Sequence, residues 1–244
     1  MPSVKWNRYW ERYDWPQDGD EWSLQAAWCG QPYETWKASV QEAFLRPNLT
    51  PASVALEIAP GHGRWSEFLV EHAARVHLVD LNPSCIEFCQ RRFAGREHVS
   101  YAVNDGTSLP GLEPDSVDFA WSYDSFVHME ADTIGAYLRE LRRVLRPGGR
   151  AVIHHAGRRH ATLPLGFLIR LGPPGRWLFK LISIRRDTGG MHDGDRSLVS
   201  RELFARLARE AGLELLFQVD SWGDRARFDC KRFNDVVTGL RKPG

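Results

Sequence analysis

A glycine-rich turn between an apolar strand pattern and a helix pattern constrains the fold of this chain most strongly. The run Val54–Ile58 is apolar enough for a buried strand, and Trp65–His72 has apolar residues at helical spacing. Between them, Gly61 and Gly63 let a ligand approach the backbone, and the start of the helix offers free N–H groups. The segment therefore predicts a nucleotide-type ligand site at the end of a strand.

The spacing of the glycines separates two kinds of ligand. A dinucleotide site needs the pattern G-x-G-x-x-G, in which the glycines accommodate a pyrophosphate. The order here is Glu57-x-Ala59-x-Gly61-x-Gly63, without the third glycine of that pattern. This order disfavours a nicotinamide enzyme, and an ordinary tight turn between a strand and a helix is the alternative at this point.

Strand and helix patterns alternate after about residue 50, which is typical of a doubly wound α/β sheet. The predicted strands, in chain order, are 53–58, 75–80, 99–103, 117–122, 150–155, 214–220 and 226–231. The predicted helices are 64–74, 83–94, 132–145 and 200–211. A short polar turn, Trp222-Gly-Asp-Arg, predicts an antiparallel hairpin between the last two strands.

Two regions fall outside this alternation. Residues 1–50 are predicted to form a helical cap, with Trp36 on its apolar face. Residues 157–198 form a long insertion after the fifth strand, for which a substrate lid or a dimer contact is favoured over plain packing or a membrane-surface element. The whole chain, 1–244, is interpreted as a single domain with these two elaborations.

Composition disfavours several functions. A formal net charge of +1 gives no electrostatic case for a nucleic-acid partner. We find no signal peptide, and no apolar run reaches the roughly 18 residues that a membrane span needs. The four cysteines are scattered, and Cys85 and Cys89 lack a second pair, which disfavours zinc. A reduced, cytoplasmic protein is the expected result.

Acidic residues follow the predicted strands at the edge where ligands of open α/β sheets bind. Asp80, followed by Leu81, ends the second strand, and its carboxylate can accept hydrogen bonds from both hydroxyls of a ribose. Asp105, followed by Gly106, comes directly after the third strand. The alternatives are that Asp80 caps the next helix and that Asp105 belongs to a plain Asp-Gly turn.

Together these segments resemble the class I methyltransferases that use S-adenosylmethionine (SAM). The resemblance is carried by the turn, in which Ala59 replaces the family's first glycine, by Asp80 and Asp105, and by Glu140-Leu-Arg-Arg-Val-Leu-Arg-Pro-Gly-Gly before the fifth strand. It runs from about residue 53 to residue 155. It implies a seven-stranded Rossmann-like sheet with an antiparallel last strand, SAM as cofactor, and S-adenosylhomocysteine (SAH) as product.

The resemblance also implies the binding roles at the strand ends. Asp80 is expected to hold the ribose of SAM, Asp105 the adenine amino group, and the segment that starts at Ser122 the methionine part. The expected cofactor-binding residues are Glu57, Ala59, Gly61, Gly63, Asp80, Leu81, Asp105, Gly106, Ser122 and Tyr123.

Four side chains near the strand ends can take the proton that an O-methyl transfer releases, namely Asp124, His128, His154 and His155. Asp124 and His128 are four positions apart, a spacing that can bring them together, and an imidazole held by a carboxylate is a good base near neutral pH. His154 and His155 alternate across a strand, so only one is expected to point into the cleft. Capping and packing roles are the alternatives for these histidines.

The acceptor is indicated by a closer resemblance. Segments 122–130, Ser-Tyr-Asp-Ser-Phe-Val-His-Met-Glu, and 153–158, Ile-His-His-Ala-Gly-Arg, are similar to actinobacterial O-methyltransferases of methylmannose polysaccharide biosynthesis. This implies a sugar or oligosaccharide hydroxyl as acceptor, and His192, Asp193 and Trp36 are the expected acceptor contacts.

Other functions stay open beside this one. A small aromatic or amine metabolite is the alternative acceptor, and a non-catalytic SAM-fold module that binds a partner is the alternative class. A divalent metal is not favoured, because the fifth strand ends in histidines rather than acids, and no metal ligand is assigned. A homodimer is considered because the insertion offers a contact surface.

Overall fold

The structure is a computed structural model, and it describes residues 13, 15, 16, 24–157, 171–175, 177, 178, 197, 199–231 and 234–244. Most of the predicted lid, with His192 and Asp193, lies outside the described residues, as does most of the chain before residue 24. Within the described part of the chain, none of the helices is long and apolar enough to cross a membrane.

Helices and strands alternate as expected between residues 54 and 156. The strands are β1 (Val54–Ile58), β2 (Arg75–Asp80), β3 (Val99–Val103), β4 (Val117–Ser122), β5 (Leu145–Ala156), β6 (Glu214–Val219), β7 (Ser221–Trp222), β8 (Phe228–Asp229) and β9 (Asp235–Arg241). The helices are α1 (Leu24–Trp28), α2 (Tyr33–Val40), α3 (Ser66–His72), α4 (Pro83–Arg92), α5 (Ala131–Val144) and α6 (Arg201–Glu210). A π-helical turn, Gln41–Leu45, and a 3₁₀ turn, Arg46–Asn48, connect α2 to the sheet.

One seven-stranded sheet organises the molecule, with the strand order β3-β2-β1-β4-β5-β9-β6. Strands β1 to β5 pair in parallel, whereas β9 runs antiparallel to both of its neighbours. The predicted doubly wound sheet with an antiparallel last strand is therefore confirmed. Strand β1 lies between β2 and β4, so the order of the strands reverses at β1. At such a point the carboxyl ends of the neighbouring strands form the crevice in which folds of this kind bind ligands.

The predicted position of the reversed strand is wrong. It was expected at residues 226–231, but the reversed strand of the sheet is β9, which is buried over all but its last residue. The turn signal that suggested the hairpin is real, because Gly223 has a φ of +77° and Trp222 pairs with Phe228. That turn closes only the two-residue ribbon β7–β8, which lies outside the large sheet.

Two apolar cores cover the two faces of the sheet. On one face, α5 and α6 pack through Ile134, Leu141 and Phe204. On the other face, the predicted N-terminal cap packs through Trp36, which lies 6.0 Å from Trp65 and 6.1 Å from Tyr123 between ring centroids. Trp36 is only 1% exposed, so it lies in the core rather than on a surface that faces a ligand.

Gly239 on β9 allows the ring of Phe217 to lie directly on the strand. A Cβ at this position would lie 2.3 Å from Phe217 Cε1, closer than packed atoms approach one another. We expect Gly239→Ala to lower the free energy of unfolding by about 1–3 kcal/mol, because the core becomes overpacked. Urea unfolding measures this change. The control is Gly135→Ala in α5, whose new Cβ would make ordinary contacts at 3.5 Å; equal urea midpoints for the two variants would contradict the expected overpacking.

Candidate active site

The turn after β1 has the backbone shape that a closely bound ligand requires. Ala59, Gly61 and Gly63 have φ angles of 59°, 57° and 89°, all in the left-handed region that glycine adopts most easily. A Cβ on Gly63 would approach the ring of Phe93 to 3.0 Å. The two glycines are therefore required by the local conformation, and Ala59 occupies a position where glycine would be less strained.

Glu57 supports the turn from within the sheet. Its side chain is 1% exposed, and its Oε2 accepts a hydrogen bond of 2.5 Å from Ser66 Oγ at the start of α3. This bond ties the end of β1 to the helix that follows the turn. Glu57 therefore helps to fix the shape of the turn, and its contact with the ligand stays a prediction.

Asp80 connects the end of β2 to the glycine turn. Its Oδ1 accepts from the amide of Asn82 at 2.8 Å, and its Oδ2 accepts from the amide of Gly61 at 3.3 Å. Burial raises the pKa of Asp80 to about 6, although these amides lower it. The cap of α4 is Asn82, whose side chain accepts from the amide of Ser84, so Asp80 is not the helix cap. Its carboxylate keeps further capacity to accept hydrogen bonds from a ribose.

Asp105 lies exposed after β3, at the same edge of the sheet. Its Oδ1 accepts from the amides of Thr107 at 2.9 Å and Ser108 at 2.8 Å, and from both of their hydroxyls. The hydrogen bonds from Thr107 and Ser108 lower the pKa of Asp105 to about 2. The neighbouring Gly106 has a φ of +82°. Asp105 thus belongs to a turn, which was the alternative to a ligand-binding role. Its Oδ2 can still accept a hydrogen bond from an adenine amino group.

Ser122 and Tyr123 form the floor of the site at the end of β4. The hydroxyl of Ser122 donates to the carbonyl of Ile58 at 2.8 Å, which joins β4 to β1. The ring of Tyr123 stacks on His154 at a centroid distance of 4.1 Å, and the Arg64 guanidinium lies 5.6 Å from the Tyr123 centroid. Both side chains are buried, so each has little exposed surface with which to contact a ligand.

Four buried charged or titratable side chains meet beyond the turn, and we call them the charge cluster: Arg64, Asp124, His154 and Asp235. Arg64 Nη2 lies 2.5 Å from Asp124 Oδ2. The amide N–H of Asp124 donates to His154 Nδ1 at 3.2 Å, and Asp235 Oδ2 lies 3.6 Å from His154 Nε2. The cluster therefore links the glycine turn to the ends of β4 and β5 and to the start of β9.

Asp124 is held as a carboxylate by its neighbours. Burial alone would raise its pKa, but the Arg64 guanidinium and His154 outweigh burial and hold the pKa well below its usual range. Gln25 of α1 donates to Asp124 Oδ1 at 2.7 Å, which brings the N-terminal cap to the same carboxylate. Among the described residues, no group of three or more His, Cys, Asp or Glu side chains is arranged to hold a metal ion.

The two adjacent histidines of β5 have different roles. His155 points to the opposite face from His154, stacks on Phe204 at 3.7 Å, and uses both ring nitrogens in hydrogen bonds of 2.7 Å to Thr238 Oγ1 and the Ala156 carbonyl. Burial lowers the pKa of His155 to about 3. The predicted alternation is confirmed, but His155 is a neutral core histidine, and the structure does not support it as a base.

His128 lies half-buried in the 3₁₀ turn Phe126–His128. The sequence pattern predicted that it would lie beside the Asp124 carboxylate. The imidazole nitrogen that lies 3.2 Å from Asp124 Oδ1 is Nδ1 of His154. The catalytic role of His128 stays a prediction.

A short N-terminal segment covers the glycine turn. His62, between the two glycines, donates through Nδ1 to the carbonyl of Pro16 at 3.0 Å. Its ring stacks on Phe88 at 3.6 Å and on Trp15 at 5.4 Å, and this burial lowers its pKa. Residues 15 and 16 therefore help to enclose the turn.

Three residues of the site were missed by the sequence analysis: Arg64, Gln25 and Asp235. Arg64 directly follows the last glycine, so its place beside the site could have been recognised. Gln25 and Asp235 lie 99 and 111 positions away in sequence from Asp124, and no local pattern marks either one. Their contacts follow only from the packing of α1 and β9.

Comparisons with known proteins identify a family match in the central part of the chain. Residues 55–149 match the family model described as a methyltransferase domain. The chain is 36% identical to the demethylmenaquinone methyltransferase of Clavibacter sepedonicus over 98 residues, which are 40% of this chain and 39% of that protein. It is 27% identical to methyltransferase GfsG of Streptomyces halstedii over 125 residues, 49% of this chain and 44% of that protein. The chain thus spans less than half the length of these curated relatives.

A solved structure matches over nearly the whole chain. Geranyl diphosphate C-methyltransferase from Streptomyces coelicolor, in complex with Mg²⁺, geranyl-S-thiolodiphosphate and SAH, superposes with a TM-score of 0.65. The match covers 99% of each chain at 18% sequence identity. This likeness shows that the two proteins share one fold over nearly their whole length.

Proposed function

We propose that this chain, whose residues 55–149 form a methyltransferase domain, transfers the methyl group of SAM to a hydroxyl of a sugar or oligosaccharide with the help of a histidine. The observation that carries the proposal is the charge cluster. Through Arg64 and Asp124 it joins the glycine turn, where the cofactor would bind, to His154, a group able to handle a proton. A cofactor subsite and a proton-handling subsite therefore form one connected site.

The cofactor subsite fits SAM at three points. The left-handed turn at Gly61 and Gly63 would let the cofactor lie against the backbone. Asp80 would accept from the ribose hydroxyls, and Asp105 Oδ2 from the adenine amino group. SAM would supply an electrophilic methyl group on a sulfonium centre.

A hydroxyl acceptor is favoured by the surroundings of His154. A hydroxyl must lose its proton when it is methylated, whereas a neutral amine needs less assistance. His154 lies beside Asp124 and Asp235, so groups able to take up and hold a proton are present at this end of the sheet.

A second acceptor class has support from one comparison. The Clavibacter relative is named for demethylmenaquinone, a quinone, which favours a small aromatic acceptor as the alternative. The homodimer and the cytoplasmic location expected from the sequence stay predictions within this proposal.

A binding measurement and a transfer screen test the proposal together. We expect SAH to bind in calorimetry, and we expect mass spectrometry to detect methyl transfer from SAM to an oligosaccharide among a panel of oligosaccharides, phenols, quinones and amines. Transfer only to a phenol, quinone or amine would overturn the sugar acceptor. Absence of SAH binding would overturn the enzyme itself in favour of a partner-binding module.

The affinity for SAH is expected to depend on pH through Asp80. Its pKa is about 6, and the ionised carboxylate accepts ribose hydroxyls better than the protonated form. Affinity should therefore be full above about pH 6 and fall as the pH drops through that value. Asp80→Asn should weaken binding about 10- to 100-fold and remove this dependence.

Asp105→Asn is the matched control for this prediction. Because the pKa of Asp105 is about 2, its charge does not change between pH 5 and pH 8. The variant should weaken SAH binding while keeping the pH dependence of the parent. Calorimetry at both pH values measures the two effects, and an unchanged pH dependence in Asp80→Asn would contradict the assignment of Asp80.

A further inference from the structure

We propose that three residues of α5 position the loop after β3 so that Asp105 can select the adenine amino group of SAM. They are Tyr137, Glu140 and Arg143, which are spaced three apart and therefore lie along one side of the helix. This inference rests on the proposed function, and it gives a role at the cofactor subsite to the motif that begins at Glu140. The three residues act through the loop and are positioning residues rather than ligand contacts.

The segment 104–112 directly follows β3 and contains no helix or strand, and we call it the β3 loop. Without the hydrogen-bond ladder of a strand, its shape depends on contacts with side chains. Four successive amides of the loop, at positions 106–109, donate to side-chain oxygens over distances of 2.8 to 3.1 Å. Three of the accepting oxygens belong to Asn104 and Asp105, inside the loop, and the fourth belongs to Glu140 of α5.

The first anchor of the β3 loop is Asn104, which is only 9% exposed. Its Nδ2 donates to the Tyr137 hydroxyl at 2.8 Å and to the Ser108 carbonyl at 2.7 Å. The side chain of Asn104 is therefore fixed by α5 on one side and by the loop on the other. Since Asn104 directly precedes Asp105 and its Oδ1 accepts from the Gly106 amide at 3.1 Å, this anchor sets the backbone on both sides of Asp105.

Glu140 and Arg143 form the second anchor, farther along the β3 loop. Glu140 Oε2 accepts from the Leu109 amide at 2.9 Å. Arg143 donates to the carbonyls of Leu109 at 3.1 Å and of Leu112 at 2.6 Å. Two more hydrogen bonds, of 2.8 and 2.7 Å, join the Arg143 guanidinium to the Glu140 carboxylate, and a pair bonded at two points has a fixed geometry. Both backbone polar groups of Leu109 are thus held to α5.

These anchors decide where the carboxylate of Asp105 can bind a ligand. Its Oδ1 accepts four hydrogen bonds, from the amides and hydroxyls of Thr107 and Ser108, so Oδ2 is the oxygen that can accept from a ligand. The pKa of Asp105 is about 2, so this oxygen is negatively charged near neutral pH. It therefore attracts an amino group and repels a carbonyl oxygen at the same position of a purine. The selection depends on the place of Oδ2, and hence on the two anchors.

A cofactor analogue that differs at this amino group tests the proposal. S-inosyl-L-homocysteine carries an oxygen where SAH carries the adenine amino group, and calorimetry measures the Kd of each ligand. We expect the wild-type protein to bind SAH about 10- to 100-fold more tightly than the analogue. The readout is the ratio of the two Kd values. A variant that is merely less stable binds both ligands less well and leaves this ratio unchanged.

Three variants of the anchors are compared through this ratio. Glu140→Ala removes the acceptor of the Leu109 amide, and we expect the preference for SAH to fall to about threefold or less. Glu140→Gln keeps an oxygen that can accept from this amide, so its ratio should stay within about threefold of the wild-type value. Tyr137→Phe keeps the buried ring and removes only the hydroxyl, and it should lower the ratio about threefold.

Arg139→Ala is the matched control, and it should keep the wild-type ratio. Arg139 is exposed on the same helix and forms no hydrogen bond or ion pair with any residue that the structure describes. An unchanged ratio in Glu140→Ala overturns the proposal, and if that variant does not fold, an unchanged ratio in Tyr137→Phe overturns it. A wild-type protein that binds both ligands equally also overturns it. A wild-type protein that does not bind SAH would instead contradict the proposed function.

Discussion

Arg64→Met is expected to lower the free energy of unfolding by about 3–5 kcal/mol, because it leaves the buried carboxylate of Asp124 without its cation. The side chains of this pair are 4% and 10% exposed, and their charged atoms lie 2.5 Å apart. The guanidinium also lies 4.8 Å from the ring centroid of Trp65, so the substitution removes a cation–π contact as well. Urea unfolding monitored by circular dichroism measures the change.

Arg146→Met is the matched control, since Arg146 pairs with Asp118 at 2.8 Å on the surface, where the two side chains are 46% and 32% exposed. Such a pair contributes about 0–1 kcal/mol. The double variant Arg64→Met/Asp124→Asn should recover part of the lost stability, because the unpaired charge is removed with its partner. An Arg64→Met protein as stable as Arg146→Met would show that the charge cluster is not held together by this pair.

His154→Ala is expected to lower kcat by about 10²- to 10⁴-fold, the range found when a group that assists proton transfer is removed. The Kd for SAH should change little, because the residues proposed to hold the cofactor lie on the glycine turn and at the ends of β2 and β3. Steady-state kinetics and calorimetry on one protein preparation separate the two effects.

His128→Ala is the comparison for this variant, because the sequence placed both histidines among the candidate bases. We expect a smaller loss of kcat for His128→Ala, since the Asp124 amide donates to His154. A thermal melt should accompany each assay, because removal of the His154 ring also exposes the stacked face of Tyr123. A larger loss for His128→Ala would reverse the roles assigned to the two histidines.

The parts of the site that could be predicted are those fixed by neighbouring residues in the chain. The left-handed turn at Gly61 and Gly63 follows from the glycines themselves, and Asp80 follows from the length of one helix and one strand. The alternation of His154 and His155 follows from the pleat of a strand. Which of these histidines faces the cleft depends on the helices packed against each face, so the sequence alone left it open.

The remaining parts depend on contacts between distant segments. Asp235 reaches His154 because β9 pairs with β5, with His155 opposite Val236 and Ala156 opposite Asp235. The turn at Gly223 is real, and it led to the prediction of a strand at residues 226–231. The prediction did not use the apolar, β-branched run after Asp235, which forms most of β9. One misplaced strand was therefore enough to hide a carboxylate of the charge cluster.

The order of strands also bears on how the chain assembles during synthesis. Strand β9 lies between β5 and β6, although β6 is translated first. Until residues 235–241 have been made, β6 has no strand of the sheet to pair with, and the edge of β5 stays unpaired. Such an edge can pair with other chains, and closing it requires contacts between segments far apart in sequence, which form slowly. The nascent protein is thus most open to aggregation just before β9 is made.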